Sequence, residues 1–183
     1  AIGEAIQNGK LAYPFVQKLR KGGYDGHGVS LIHNNDVTLL EGPSMIEEKV
    51  DIDKEIAVIA ARNSDGEVRC FPAVEMIFND QTNLVEEIFC PANITLEQAK
   101  TAETLSKDII EKLDMVGLLA IEFFIDKQGQ ILINEVAPRP HNSGHHTIDS
   151  VVTSQLEQLL RAILDLPLGS TELTSASVML NLL

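Results

Sequence analysis

The residue pattern predicts an α+β fold, antiparallel β-sheets with helices packed against them, and three observations carry that expectation. Short runs rich in β-branched and aromatic residues follow one another with turn-forming residues between them. Two long stretches, 96–113 and 151–164, keep apolar residues at helical spacing. Late in the chain, AIEFFIDKQGQILINE reads as two strands joined by a polar loop.

Taken in order, AIGEAIQNGK reads as the end of a helix closed by Gly9. YPFVQKLR then alternates as a strand, and GGYDGHG, with four glycines in seven residues, forms a hairpin loop before the strand VSLIH. SMIEEKV, EIAVIAARN, EVRCF and AVEMIF read as further strands. Thr95 and Gln98 form a capping box that opens the helix of Ala99, Ala102, Leu105, Ile109 and Leu113. VGLLAIEFFID and QILINE form a hairpin, VVTSQLEQLLRAIL a second amphipathic helix, and ASVMLNLL a closing strand.

With 183 residues, 44% of them apolar, the chain has material for a substantial core. A formal charge of -13 opposes binding to nucleic acid or an anionic membrane, because such a surface repels phosphate except where cations gather. They gather at Lys18, Arg20 and Lys21. Cys70 and Cys90 lie far apart and outside any CxxC pattern, so two reduced, buried thiols are expected rather than a disulfide or a zinc site. No apolar run has the length of a membrane span and no leader opens the chain, so the expected compartment is the cytoplasm. Position 1 is Ala rather than Met, and two readings stay open, an excerpt of a longer chain and a reduced homologue.

Four constellations bear on function. If Lys127 to Gln130 form the loop of the late hairpin, Asp126 pairs with Ile131, Phe124 with Ile133 and Glu122 with Glu135. Two carboxylates then face each other, which leaves two readings open: a pair that holds a hard cation such as magnesium, or a hydrated rim. In QKLRKGGYDGHG, Lys18 and Arg20 share a strand face ahead of a glycine loop able to offer N–H groups to an anion, against a reading as a solvated hairpin. MIEEKVDIDKE carries Glu47, Glu48 and Glu55 and from pattern alone reads as a solvated linker. In NEVAPRPHNSGHH, Arg139 can grip a carboxylate or phosphoryl group, and Asn142, Ser143, His141, His145 and His146 supply neutral donors and acceptors. Anion binding is preferred there to a zinc site, since Arg139 repels a dication.

A strand, KLRKGGYDGHG, a strand, a Glu-bearing hinge, a helix, then IEFFI and INEVAPRPHNSGHH come in an order that resembles the ATP-grasp core of the 5-(carboxyamino)imidazole ribonucleotide synthases, over nearly the whole chain. GGYDG is shared with other ATP-grasp ligases, whereas NExAPRPHNSGH is specific to this family and its close relatives. The resemblance implies a small subdomain over 1–50 and a large one over 51–183, with the family's flanking N- and C-terminal domains absent. It implies that ATP and bicarbonate give carboxyphosphate and ADP, and that the carboxyl group passes to 5-aminoimidazole ribonucleotide in purine biosynthesis. Lys18 then reaches the nucleotide phosphates, Glu47, Glu48 and Val50 line the adenine hinge, and Glu55 binds ribose. Glu122 and Glu135 hold Mg2+ (or Mn2+) with Asn134 beside them. Arg139, His141, Asn142 and Ser143 surround bicarbonate or carboxyphosphate, while Tyr24, Asp25 and His27 contact the ribonucleotide, His27 standing where the family has Lys or Arg. A homodimer is implied as well. The alternatives are a formate-using ligase of the glycinamide ribonucleotide transformylase type and a nucleotide-binding module without catalysis.

Overall fold

The computed structural model describes residues 2–23, 27–79 and 84–182. The chain divides into two compact units, 1–51 with 80–84 and 52–79 with 85–183.

In the first unit, helix α1 (Ile2–Gln7) ends ahead of Gly9, whose φ of 67° is the left-handed conformation that closes helices. Strands β1 (Phe15–Leu19), β2 (Val29–Ile32) and β3 (Ser44–Glu48) form an antiparallel sheet in the order β2-β1-β3. Phe15 and Ile32 pair across it and are buried. Gln17 shares their face and is buried as well, with its amide fully engaged. It donates to Leu40 O (2.9 Å) and Ser44 Oγ (2.8 Å) and accepts from Leu40 N (2.9 Å). A buried amide is tolerated only when bonded in this way. The opposite face of β1 carries Val16 and Lys18.

The second unit is built on a larger antiparallel sheet. Its strands are β4 (Ile52–Arg62), β5 (Val68–Cys70), β6 (Val74–Phe78), β7 (Val85–Cys90), β8 (Gly117–Asp126), β9 (Ile131–Ala137) and β10 (Ser177–Leu180), in the order β10-β7-β6-β4-β8-β9, with β5 on β4. Helix α2 (Leu96–Lys112) starts at the expected box: Thr95 Oγ1 accepts from Gln98 N, and the Gln98 side chain accepts from Thr95 N. Its buried Ala102, Ser106 and Ile110 face Ile56, Val58, Ile121, Phe123 and Ile125 of the sheet. On the other face, Ile59, Ala61, Leu118 and Ala120 pack with Ala162 of helix α4 (Gln155–Ile163). Apolar burial on both faces of β4 and β8 supplies the core.

Strand β7 lies in a stretch for which the sequence offered no strand, since Glu86 and Glu87 interrupt the alternation, and it is placed by its pairing with β6 and β10. The last long helix begins at Gln155 rather than Val151: Ser154 caps it, and Val151 is held extended in a bridge to Leu173. The region 141–150 contains a 3-10 turn (Asn142–Gly144) and the short helix α3 (Thr147–Ser150). Both cysteines are free; Cys90 is buried and Cys70 half-buried, and burial pushes their thiols up to about 11 and about 12.

Candidate functional site

In the first unit the cation expected to meet phosphate is held by a carboxylate. Lys18 pairs with Met45 in the ladder and Val16 with Glu47, which puts Lys18 and Glu47 diagonally on one face. Lys18 Nζ lies 2.8 Å from Glu47 Oε2, with 18% and 32% of the two side chains exposed. Glu48 pairs with Phe15 and so turns to the opposite face, while Val50 lies beyond the end of β3. Leu19 N donates to Gly28 O (2.8 Å), and Gly22 and Gly28 take φ of 78° and 79°. His27 is exposed; Tyr24 and Asp25 lie outside the described residues.

In the second unit the facing carboxylates arise by a route the pattern did not predict. Near its loop the β8–β9 hairpin pairs Ile125 with Ile131, Phe124 with Leu132 and Phe123 with Ile133, one residue off the expected register. Asp126 N donates to Gln130 O, and Gly129 takes φ 81°, so the loop is one residue tighter than expected. Continued unbroken, that register would set Glu135 opposite Ile121, on the face covered by α2. Asn134 is instead an extra residue, a β-bulge, and beyond it Glu122 pairs with Glu135. The bulge turns Glu135 to the side of Glu122, with Cβ atoms of such partners about 4.5–5.5 Å apart. Glu122 also pairs with Ala57, and Glu55, two residues before it on β4, pairs with Phe124. Glu55, Glu122 and Glu135 therefore share one face of the sheet, the face that α4 covers only further along the strands.

The turn after β9 brings His141 to this face. His141 Nε2 lies 3.2 Å from Glu122 Oε1, the side chains being 12% and 15% exposed. Ser143 N donates to His141 Nδ1 (3.3 Å), and the Ser143 hydroxyl lies 2.9 Å from the same atom. A backbone N–H can only donate, so Nδ1 accepts and the proton of the neutral ring sits on Nε2, facing the carboxylate. Ser143 is 2% exposed and stands behind the imidazole; Asn142 is half-buried beside it. Arg139 is exposed and its Nη1 donates to Pro140 O (3.0 Å).

The three histidines do not form one cluster. His145 is exposed. His146 is buried, its Nδ1 2.8 Å from Ser150 Oγ and 3.4 Å from Ser177 Oγ, and burial pulls it down to about 4, a neutral structural histidine. Two residues passed over in the sequence organise the turn: Gln155, whose amide bonds both His141 O and His141 N, and Thr147, which bonds Gly144 O and Gln155 N. Gly144 packs against them, since an added Cβ there would lie 2.5 Å from Gln155 Oε1. A cavity of about 660 Å3 opens beside the start of α2, among Cys70, Pro91, Thr95, Glu103 and Glu172, and none of the candidate residues lines it. Glu55, Glu122 and Glu135 offer hard oxygen donors for a cation that also takes phosphate ligands, which makes the carboxylate face the candidate site. Among the described residues no three His, Cys, Asp or Glu side chains gather to hold a metal by themselves.

Residues 4–156 match the model of the ATP-grasp domain. The chain belongs to the ATP-grasp family. It is 39% identical over 188 residues to the N5-carboxyaminoimidazole ribonucleotide synthase of Bacillus subtilis, covering 100% of this chain and 48% of the relative. The crystal structure of the Thermotoga maritima N5-carboxyaminoimidazole ribonucleotide synthetase superposes with a TM-score of 0.89 at 45% identity, over 100% of this chain and 47% of that one. That of the Aspergillus clavatus synthase in complex with ADP and 5-aminoimidazole ribonucleotide gives 0.87 at 30% identity, over 98% and 48%. The chain thus spans about half the length of these relatives. The antiparallel sheets with packed helices are those of an ATP-grasp domain.

Proposed function

We propose that the intact protein uses ATP to join bicarbonate to the amino group of 5-aminoimidazole ribonucleotide, in purine biosynthesis. The observation that carries this reading is the Glu122–Glu135 pair with His141 seated on Glu122, in a chain similar throughout to synthases of this kind. A bicarbonate oxygen attacks the γ-phosphorus and ADP leaves; the amine then attacks the carboxyl carbon of carboxyphosphate, phosphate leaves with the bonding pair, and the nitrogen gives up a proton to the departing phosphate.

Two carboxylates in register offer hard oxygen donors, too few to hold a dication alone but suited to one that also takes ligands from phosphates. Bound by Glu122 and Glu135, magnesium (or manganese) would supply the positive charge that offsets the phosphates. Lys18 approaches the phosphates, Glu47, Glu48 and Val50 border the adenine, Glu55 takes the ribose, and Asn134 lies near the phosphates. Arg139, His141 and Asn142 hold bicarbonate and carboxyphosphate, with Ser143 supporting the imidazole. Tyr24, Asp25 and His27 meet the ribonucleotide. In phosphoryl transfer such positioning and charge complementarity are most of the catalysis, and excluding water protects the acyl phosphate. The reading carries with it 1–50 as the small and 51–183 as the large ATP-grasp subdomain, and a cytoplasmic homodimer.

The test is ADP release by the intact protein with MgATP, 5-aminoimidazole ribonucleotide and either bicarbonate or formate. We expect ADP and carboxylated ribonucleotide with bicarbonate alone. Turnover only with formate and glycinamide ribonucleotide, or nucleotide binding with no ADP in any mixture, would overturn the assignment.

A further inference from the structure

Helix α4 buries two glutamines completely, Gln155 and Gln158, and both act as substitute strand partners. Gln155 Nε2 donates to His141 O (2.8 Å) and its Oε1 accepts from His141 N (3.0 Å). Gln158 Nε2 donates to Gly169 O (2.9 Å) and its Oε1 accepts from Gly169 N (2.8 Å). Chemistry and burial are the same; what differs is the backbone gripped. Gln158 holds a segment without candidate residues. Gln155 holds the residue whose imidazole faces Glu122, and its own N–H donates to Thr147 Oγ1 (2.9 Å), whose hydroxyl donates to Gly144 O (2.5 Å). Gly144 completes the seam, since any side chain there would collide with Ile59 and Gln155.

We propose that Gln155 is a positioning residue for His141: its amide fixes the height of the 141–147 turn over the sheet, so that Nε2–H meets Glu122 Oε1. This rests on reading His141 as part of the reaction chamber. Without the clamp His141 N loses its acceptor and His141 O keeps only the Gly144 N–H (3.0 Å), and the ring, attached to a shifted backbone, no longer meets the carboxylate. Small misplacements of this kind cost rate rather than ground-state nucleotide affinity.

Gln158 supplies the matched control. In the intact protein labelled with 15N-histidine, Gln155→Ala and Gln158→Ala should lower the melting temperature comparably. Only Gln155→Ala should displace the His141 ring 15N shifts from the Nε2–H pattern. It should also cut kcat about 10- to 100-fold, while ATP affinity stays within about twofold. Should Gln155→Ala not fold, Gln155→Glu, which keeps the shape and Oε1 but removes the Nε2 donor, is read the same way. His141 shifts and kcat that respond equally to the two alanine variants would reduce Gln155 to a stability element and overturn the inference. If wild type makes no carboxylated product, the functional reading fails, and the His141 shifts alone decide the role of Gln155.

Discussion

Glu135→Gln should nearly abolish nucleotide turnover while leaving the protein as stable as before. Two carboxylates paired across β8 and β9 repel, at a cost of about 0.2–1 kcal/mol at a surface and more where apolar neighbours exclude water. Glu135 is exposed on an edge strand, and glutamine keeps its size and an acceptor oxygen while removing the charge. In the absence of magnesium, the melting temperature of the variant should therefore equal or exceed that of wild type. Turnover moves the other way, because the transferring phosphoryl group loses part of its fixed electrostatic environment. Loss of one such element typically costs about 10²–10³ in kcat. Opposite signs in the two measurements distinguish a functional pair from a structural one. Unchanged turnover, or a variant that unfolds, would remove the pair from the site.

Lys18→Ala should weaken ATP binding by about 1.5–3 kcal/mol, the loss expected for a charge-assisted phosphate contact. The structure adds a second consequence. With Lys18 gone, the half-buried Glu47 carboxylate faces the incoming polyanion without its 2.8 Å counter-charge. The double variant Lys18→Ala with Glu47→Gln should accordingly bind ATP more tightly than Lys18→Ala alone, as calorimetric titration would show. Equal affinity of Lys18→Ala and wild type would return this hairpin to a solvated surface element.

What the sequence revealed and what it hid follow from the range of the interactions involved. The Thr95–Gln98 box closes within one helical turn and depends on nothing else, so it was legible. The Glu122–Glu135 pairing was reached through an incorrect register that the Asn134 bulge happens to restore. A bulge is set by which side chains the rest of the sheet buries, here Ile121 under α2, and a strand read alone carries no trace of it. The start of α4 was misread for a similar reason: Val151 and Val152 continue the helical period, but the bridge to Leu173 keeps Val151 extended. His141, His145 and His146 are neighbours in sequence, yet the 3-10 turn and α3 send one to Glu122, one to solvent and one into the core beside Ser177. Gln155 was missed because an amide at the start of a helix has the same one-letter appearance whether it faces water or grips a backbone fourteen residues away.

The central claim is that the carboxylate face of the large sheet, and not the cavity beside α2, receives the nucleotide and its metal. A crystal structure of the intact protein with MgADP tests it most directly. The account predicts a metal ion with an oxygen of Glu122 and an oxygen of Glu135 at about 2.0–2.1 Å and the diphosphate on the same face. Nucleotide in the cavity among Cys70, Thr95 and Glu172, or a metal that touches neither glutamate, would contradict it.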